Sequence, residues 1–202
     1  MKKGLMIALG IVAVIVIIAI VIISWGIGKY NSFVGLNEEV KSAWSQVENV
    51  YQRRADLIPN LVSTVKGVAN FEKETYTAVT EARAKVGQVK LNAENLDDPE
   101  AMAKFQRAQE GLGGALQRLM VVSENYPQLK ANENFLQLQA QLEGTENRIT
   151  VERQKFNQVA TQYNTAIKKF PGAMIAGMGG FKEKQYFKAV TEGAEQAPKV
   201  QF

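Results

Sequence analysis

The sequence predicts an all-α protein, an N-terminal transmembrane helix continuing into a long antiparallel helical bundle. Three observations lead there. Residues 5–23 carry no polar side chain. Beyond them, apolar residues recur in alternating steps of three and four, the spacing of one helix face. No segment shows the two-residue alternation of a half-buried strand.

Composition narrows the chemistry. The chain has 202 residues, no cysteine and no histidine. Disulfides, thiolate nucleophiles, Cys/His zinc sites and imidazole-based triads are therefore excluded. An enzyme would have to work with carboxylates, lysines or tyrosines. The formal charge is +4, but Lys2, Lys3 and Lys29 flank the apolar stretch and all 20 acids lie beyond it. The remainder is nearly neutral, so the basic balance does not indicate nucleic-acid binding.

The anchor occupies residues 1–29. Nineteen residues at about 1.5 Å each reach roughly 28 Å, close to the hydrocarbon thickness of a bilayer. Fourteen of them are Leu, Ile or Val, among them Leu5, Ile11, Ile17 and Ile23. Their insertion is favourable by roughly 4–8 kcal/mol. Ser24-Trp25-Gly26 has the small residues of a signal cleavage site, but the apolar core is longer than a signal peptide's, so retention is expected. Lys2 and Lys3 precede the span while Lys29 and Lys41 follow it, which predicts a cytoplasmic N-terminus and an extracytoplasmic domain. Trp25 and Tyr30 suit an interfacial belt.

The bundle is read over residues 30–169. Val40, Trp44, Val47, Tyr51, Arg54, Ile58, Leu61, Val65 and Val68 form one seam running to about Gly87. Pro59 lies inside it and removes the bond to the Ala55 carbonyl. The seam keeps its phase, so one helix kinked at Pro59 is expected, with a sharper fold-back into four shorter helices as the alternative. Asp98-Pro99-Glu100 starts a second helix with a cap, a first-turn proline and an acid. Its seam is Met102, Phe105, Gln109, Leu112, Leu116, Leu119 and Ser123. Gly111, Gly113 and Gly114 suggest close helix contact. Asn125-Tyr126-Pro127 ends this helix. A third long helix carries Phe135, Leu138, Leu142, Thr145, Ile149, Glu152, Phe156, Val159, Tyr163 and Ile167.

Three helices of about 57, 28 and 40 residues would measure about 85, 42 and 60 Å. An up-down-up path then leaves Val40, Trp44, Val47 and Tyr51 without an intrachain partner. An exposed apolar stripe of that length is unusual in a monomer, so these four are expected to form an inter-subunit seam in a homo-oligomer.

The polar residues on or beside the seams read as a structural network. Arginine–carboxylate and asparagine pairs inside a helical core fix register at some cost in stability. Glu143 and Glu146 could share a helix face, but a di-iron bundle also needs histidines. No metal, cofactor or catalytic residue is predicted. Gly111-Leu112-Gly113-Gly114 lies in a helical pattern and is no phosphate loop.

Residues 170–190 form an apolar, Gly-rich loop and a short amphipathic helix. The loop holds Phe170, Pro171, Met174, Ile175, Met178 and Phe181; Lys182, Lys184 and Lys188 follow beside Tyr186 and Phe187. It reads either as an element touching a membrane or a partner, or as a cap on the bundle core. The up-down-up path places it far from the anchor, which favours a neighbouring subunit or a second surface over contact with its own bilayer. Residues 191–202 read as a tail.

Several segments are specific enough to resemble a known family. They are Arg53-Arg54-Ala55-Asp56-Leu57-Ile58-Pro59-Asn60-Leu61-Val62 with Val65-Lys66-Gly67, then Glu124-Asn125-Tyr126-Pro127-Gln128-Leu129-Lys130-Ala131-Asn132. Leu142-Glu143-Gly144-Thr145-Glu146-Asn147-Arg148-Ile149, Asn157, Tyr163-Asn164, Phe170-Pro171, Phe181 and Tyr186-Phe187 continue the pattern. Together these resemble the LemA family. Phe71-Glu72 departs from it, since the family has a histidine before the glutamate. The resemblance implies a single-span protein of the bacterial inner membrane with an elongated helical domain and no established catalytic or cofactor residues. Its magnetosome-membrane relative and its genes' association with membrane proteases imply membrane organisation or quality control. The expected function is a non-enzymatic, self-assembling scaffold. The alternative is an adaptor or sensor subunit of a membrane protease or signalling complex. Lipid bilayer and sister copies are the expected partners.

Overall fold

The computed structural model describes residues 2–68 and 71–188, apart from the side chains of Lys2, Lys3 and Leu5. The predicted tail, 191–202, lies outside them. The described residues form six helices in order: α1 Lys2–Lys66, α2 Lys73–Gln88, α3 Pro99–Ser123, α4 Pro127–Lys130, α5 Glu133–Lys168 and α6 Gly172–Met178. The class is all-α.

α1 is one uninterrupted helix from the apolar anchor into the bundle. Its first part is long and apolar enough to cross a membrane, and Ile11, Ile17 and Ile23 are each more than half exposed. The helix continues through Pro59. The carbonyl of Ala55, which proline cannot engage, instead accepts a 2.9 Å bond from Nε of Arg83 on α2. A helix-internal proline therefore marks where a neighbouring helix packs.

The first helix does not run on to Gly87. It stops at Lys66, and a new helix begins at Lys73. Gly67 follows a terminal lysine, a common way to end a helix. Glu72 precedes α2 and takes the Thr75 hydroxyl at 3.1 Å. This turn makes four long helices instead of three, so the chain runs up α1, down α2, up α3 and down α5. The length mismatch disappears. The part of α1 beyond Tyr30 and the whole of α5 are each about 54 Å long by helical rise, and they pack along one another. α2 packs against α1 and α3.

One extra turn also reverses where everything after it ends. α5 descends toward the anchor, so the 170–181 segment lies beside the exit of the apolar span and not at the far end. Cβ of an alanine at Gly26 would lie 3.8 Å from Ile175 Cδ1, and Phe181 meets Tyr30 and Phe33 edge-on at 5.3 and 5.6 Å. The short helix falls at Gly172–Met178, inside the Gly-rich segment, while Phe181–Lys188 has no helix. The glycines that matter are here: a Cβ on Gly172 would sit 3.0 Å from Phe33, one on Gly179 2.7 Å from Phe181, and Gly180 has φ +71°. Gly111, Gly113 and Gly114 face no close neighbour; no tight helix contact depends on them.

Two apolar clusters fill the bundle. The membrane-proximal one centres on Trp44, Phe105, Phe156 and Tyr163, and the distal one on Ile58, Leu61, Leu112, Leu119 and Phe135. The periodic seams supply both: every predicted α3 position from Met102 to Ser123 is buried.

Candidate functional site

Three features could carry function: a polar layer between the two cores, a strap closing the lower bundle, and the loop beside the anchor. The polar layer occupies one seam position on each of three helices. Arg54, Gln109 and Thr145 are all buried. Each lies between a membrane-proximal seam residue and a distal one on its helix: Tyr51 and Ile58, Phe105 and Leu112, Ile149 and Leu142. Arg54 Nη1 donates to Glu146 Oε1 at 2.7 Å. Its Nη2 donates to the Gln109 backbone oxygen at 3.2 Å and to the Gln109 side-chain carbonyl. The guanidinium also covers the Tyr51 ring at 5.1 Å. Arg54 Nε is buried with no acceptor among the described residues, which costs stability.

The carboxylates in and beside this layer are already engaged. Glu146 is committed to Arg54, and Glu143 accepts from Gln139 at 3.1 Å. Among the described residues no three His, Cys, Asp or Glu come together as metal ligands. A cleft of about 580 Å³ between α3 and α5 is lined by Gln117, Glu143, Glu146 and Asn147.

The strap is Phe181–Lys188. Two α5 asparagines hold it, each reading both polar groups of one backbone unit. Asn164 Oδ1 accepts the Lys184 N–H and its Nδ2 donates to the Lys184 carbonyl, both at 2.8 Å. Asn157 does the same with Phe187, both at 2.9 Å. The asparagines are seven residues apart, about 10.5 Å along a helix. Three residues of extended chain cover about 10 Å, so the two spacings match. From α3, Gln106 donates to the Tyr186 carbonyl and accepts the Lys188 N–H, each at 3.3 Å. The Gln185 N–H donates to the Leu96 carbonyl at 2.8 Å.

Between these clamps Phe187 enters the core, stacked on Trp44 and edge-on to Phe156. Val40, Trp44 and Val47 are fully buried and Tyr51 nearly so, all within one chain. The inter-subunit seam expected there is therefore corrected. α3, α5, the 89–98 connection and the strap cover those residues, and a homo-oligomer is not needed to shield them. Burial of the ring pushes the Tyr51 phenol up and, with Asp97 adding to it, the Tyr163 phenol up to about 12. Burial lowers the pKa of Lys184, whose ammonium lies over Tyr163.

The remaining motif residues are surface features. Arg53, Asp56, Pro59, Asn60, Glu124, Asn125, Pro127, Asn147 and Arg148 are exposed. Gln52 donates to Asp56 at 2.7 Å, Asn60 supplies a carbonyl to Thr64, and Glu124 pairs with Lys130. Gln106, Arg153 and Phe187 were the strap contacts that periodicity did not reveal. Arg153 donates to the Lys188 carbonyl and its guanidinium covers the Phe187 ring. Two asparagines one heptad apart, each just beyond a seam residue of α5, were the available signal.

A family model described as the LemA family matches residues 43–202, which takes in the polar layer, the turns and the strap. The chain belongs to the LemA family. It is similar to the magnetosome protein MamQ of Magnetospirillum gryphiswaldense, with 29% identity over 91% of this chain and 71% of that protein. It is also similar to magnetosome protein MamQ 2 of Paramagnetospirillum magneticum, at 28% over 95% and 75%. A protein named LemA from Metamycoplasma hominis is 25% identical over 71% of this chain and 62% of its own length. None of these names denotes an enzyme. The LemA-family match begins at Ala43, within the part of α1 that packs into the bundle.

Proposed function

We propose that this LemA-family chain is a non-enzymatic, membrane-anchored scaffold of the bacterial inner membrane, with its N-terminus cytoplasmic and its bundle outside. One observation supports it above the others: α1 carries the apolar span into the bundle core with no linker. A helix that is both anchor and core strand of the bundle fixes the domain's distance and tilt relative to the bilayer. Such stiffness suits an organising element. The buried polar groups hold helices and strap together. Relatives named magnetosome proteins agree with a role in cellular organisation.

A second reading is favoured by the closed seam. Because Trp44 is sheltered by its own chain, one chain is a complete bundle, and a single copy could serve as an adaptor or sensor subunit for a membrane protease or signalling protein. Mass photometry of the detergent-extracted protein separates the two. Particles of many identical chains support a self-assembling scaffold, and one chain with a stoichiometric second protein supports the adaptor. A solitary protomer stabilised by a metal ion or a nucleotide would overturn both and revive an enzyme.

A further inference from the structure

We infer that α6 and the turn before it form a second, interfacial membrane contact, dipping into the same leaflet from which α1 emerges. The segment has the apolar side chains for it. Phe170 is 83% exposed, Met174 65% and Met178 90%. Nothing in the bundle explains this, since the opposite side of α6 is used: Gly172 and Ala176 are buried, and Ile175 packs toward Gly26.

The occupant follows from position along α1. Gly172 lies against Phe33, Ile175 against Gly26 and Gly179 against Tyr30, so α6 sits beside residues 26–33. Ile175 is about 4.5 Å of helical rise above Ile23, the last residue of the apolar span. That is headgroup level. Met174 and Met178, one turn apart, flank Ile175. A helix whose exposed face is apolar at this depth lies in the interface, its side chains reaching the acyl boundary. The exposed surface of the span and that of α6 are continuous.

Charge agrees with an anionic surface. A cleft of about 520 Å³ next to α6 is lined by Lys29, Lys169, Phe170 and Ser32. Neither lysine has a carboxylate within ion-pair distance among the described residues, whereas Lys168 and Lys182 pair with Glu183 and Asp97. Lys29 and Lys169 are placed to meet lipid phosphates while their neighbours enter the apolar layer. The chain would then hold its bilayer at two points, and the second would fix the rotation of the bundle about α1.

The natural lack of cysteine makes the test direct. Full-length M178C and V121C, each labelled with an environment-sensitive fluorophore, are placed in nanodiscs of three parts phosphatidylcholine to one part phosphatidylglycerol. Lipids doxyl-labelled at carbon 5 or carbon 12 report depth. Val121 is exposed on α3 near the distal end and serves as the water-facing control. The expected result is at least twofold quenching at position 178, stronger from carbon 5 than from carbon 12, with none at 121. Quenching at 178 no greater than at 121 overturns the contact. A blue-shifted but unquenched label at 178 also overturns it, because protein and not lipid would then cover the site. The thermal melt of each labelled protein, matched to the parent, excludes misfolding.

Discussion

Phe187 lies stacked on Trp44, with ring centroids 6.0 Å apart and planes within 16°. One residue comes from the strap and the other from the helix that carries the apolar span. Their contact closes the membrane-proximal core on the side that α3 and α5 leave open. Phe105 and Phe156 complete the aromatic box around the indole.

Replacing Phe187 with alanine should therefore cost about 3–5 kcal/mol, the range for deleting a buried phenyl ring. In a W25F background Trp44 is the remaining tryptophan, and its emission should shift to the red as the box opens. Urea denaturation followed by fluorescence reads both effects. Unchanged emission would mean that another segment covers the indole.

The asparagine clamps should fail unequally. Asn164 is buried and also reaches the Tyr186 hydroxyl at 2.8 Å, whereas Asn157 is half-buried. Leaving the Lys184 amide and carbonyl unpaired by N164A should cost about 1–3 kcal/mol, and N157A should cost less because water reaches its groups. Hydrogen exchange at the Lys184 and Phe187 amides should accelerate in the corresponding variant.

The two partners in the polar layer also differ. Arg54 is buried and Glu146 retains 46% side-chain exposure. R54A strands Gln109 in the core and should cost about 1.5–3 kcal/mol, the range for hydrogen bonds to a charged group. E146A leaves an arginine that Gln109 still holds and should cost less, within about 1 kcal/mol, as at a partly exposed pair. R54K should resemble R54A, since lysine cannot span both partners. Equal losses from R54A and E146A would contradict this picture.

Alkaline pH should weaken the fold. Tyr163 holds its proton to about 12 in the bundle, while an unfolded tyrosine loses it near 10. Between those values the unfolded chain binds fewer protons, so stability falls as pH rises. Tyr51 shifts in the same direction. Lys184 is lowered, so below about 10.5 it acts oppositely, favouring the fold as pH climbs. Denaturation midpoints between pH 9 and 12 should decline, and Y163F should flatten the decline. Absorbance of tyrosinate near 295 nm should rise late in the folded protein.

Much of the bundle was legible because heptad spacing records which side of a helix is buried. Met102 through Ser123 behaved as their period required, and the anchor declared itself by nineteen apolar residues. The turn at Gly67 was hidden by the same regularity: Val68 continues the apolar phase past the glycine, and Pro59 drew attention as the better-known helix breaker. Missing that turn inverted the direction of every later helix, which is why Trp44 looked unpartnered and the 170–181 loop looked remote. The strap was harder still. Its bonds run from side-chain amides to backbone, and a backbone partner leaves no trace in residue type. Asn157 and Asn164 were legible as polar residues beside an apolar seam, but nothing local named Lys184 and Phe187 as what they hold.

The central claim is that each chain closes its own core. Gln106 of α3 accepts the Lys188 N–H of the strap, and in a chain without cysteine Q106C and K188C offer the only thiols. A short bismaleimide should link them in the double variant as a monomer-sized product, independent of protein concentration. Mixed and co-purified chains carrying Q106C alone and K188C alone should give no cross-link. A linked dimer from that mixture would mean that the strap crosses between copies and that Trp44 is shielded by a neighbour after all.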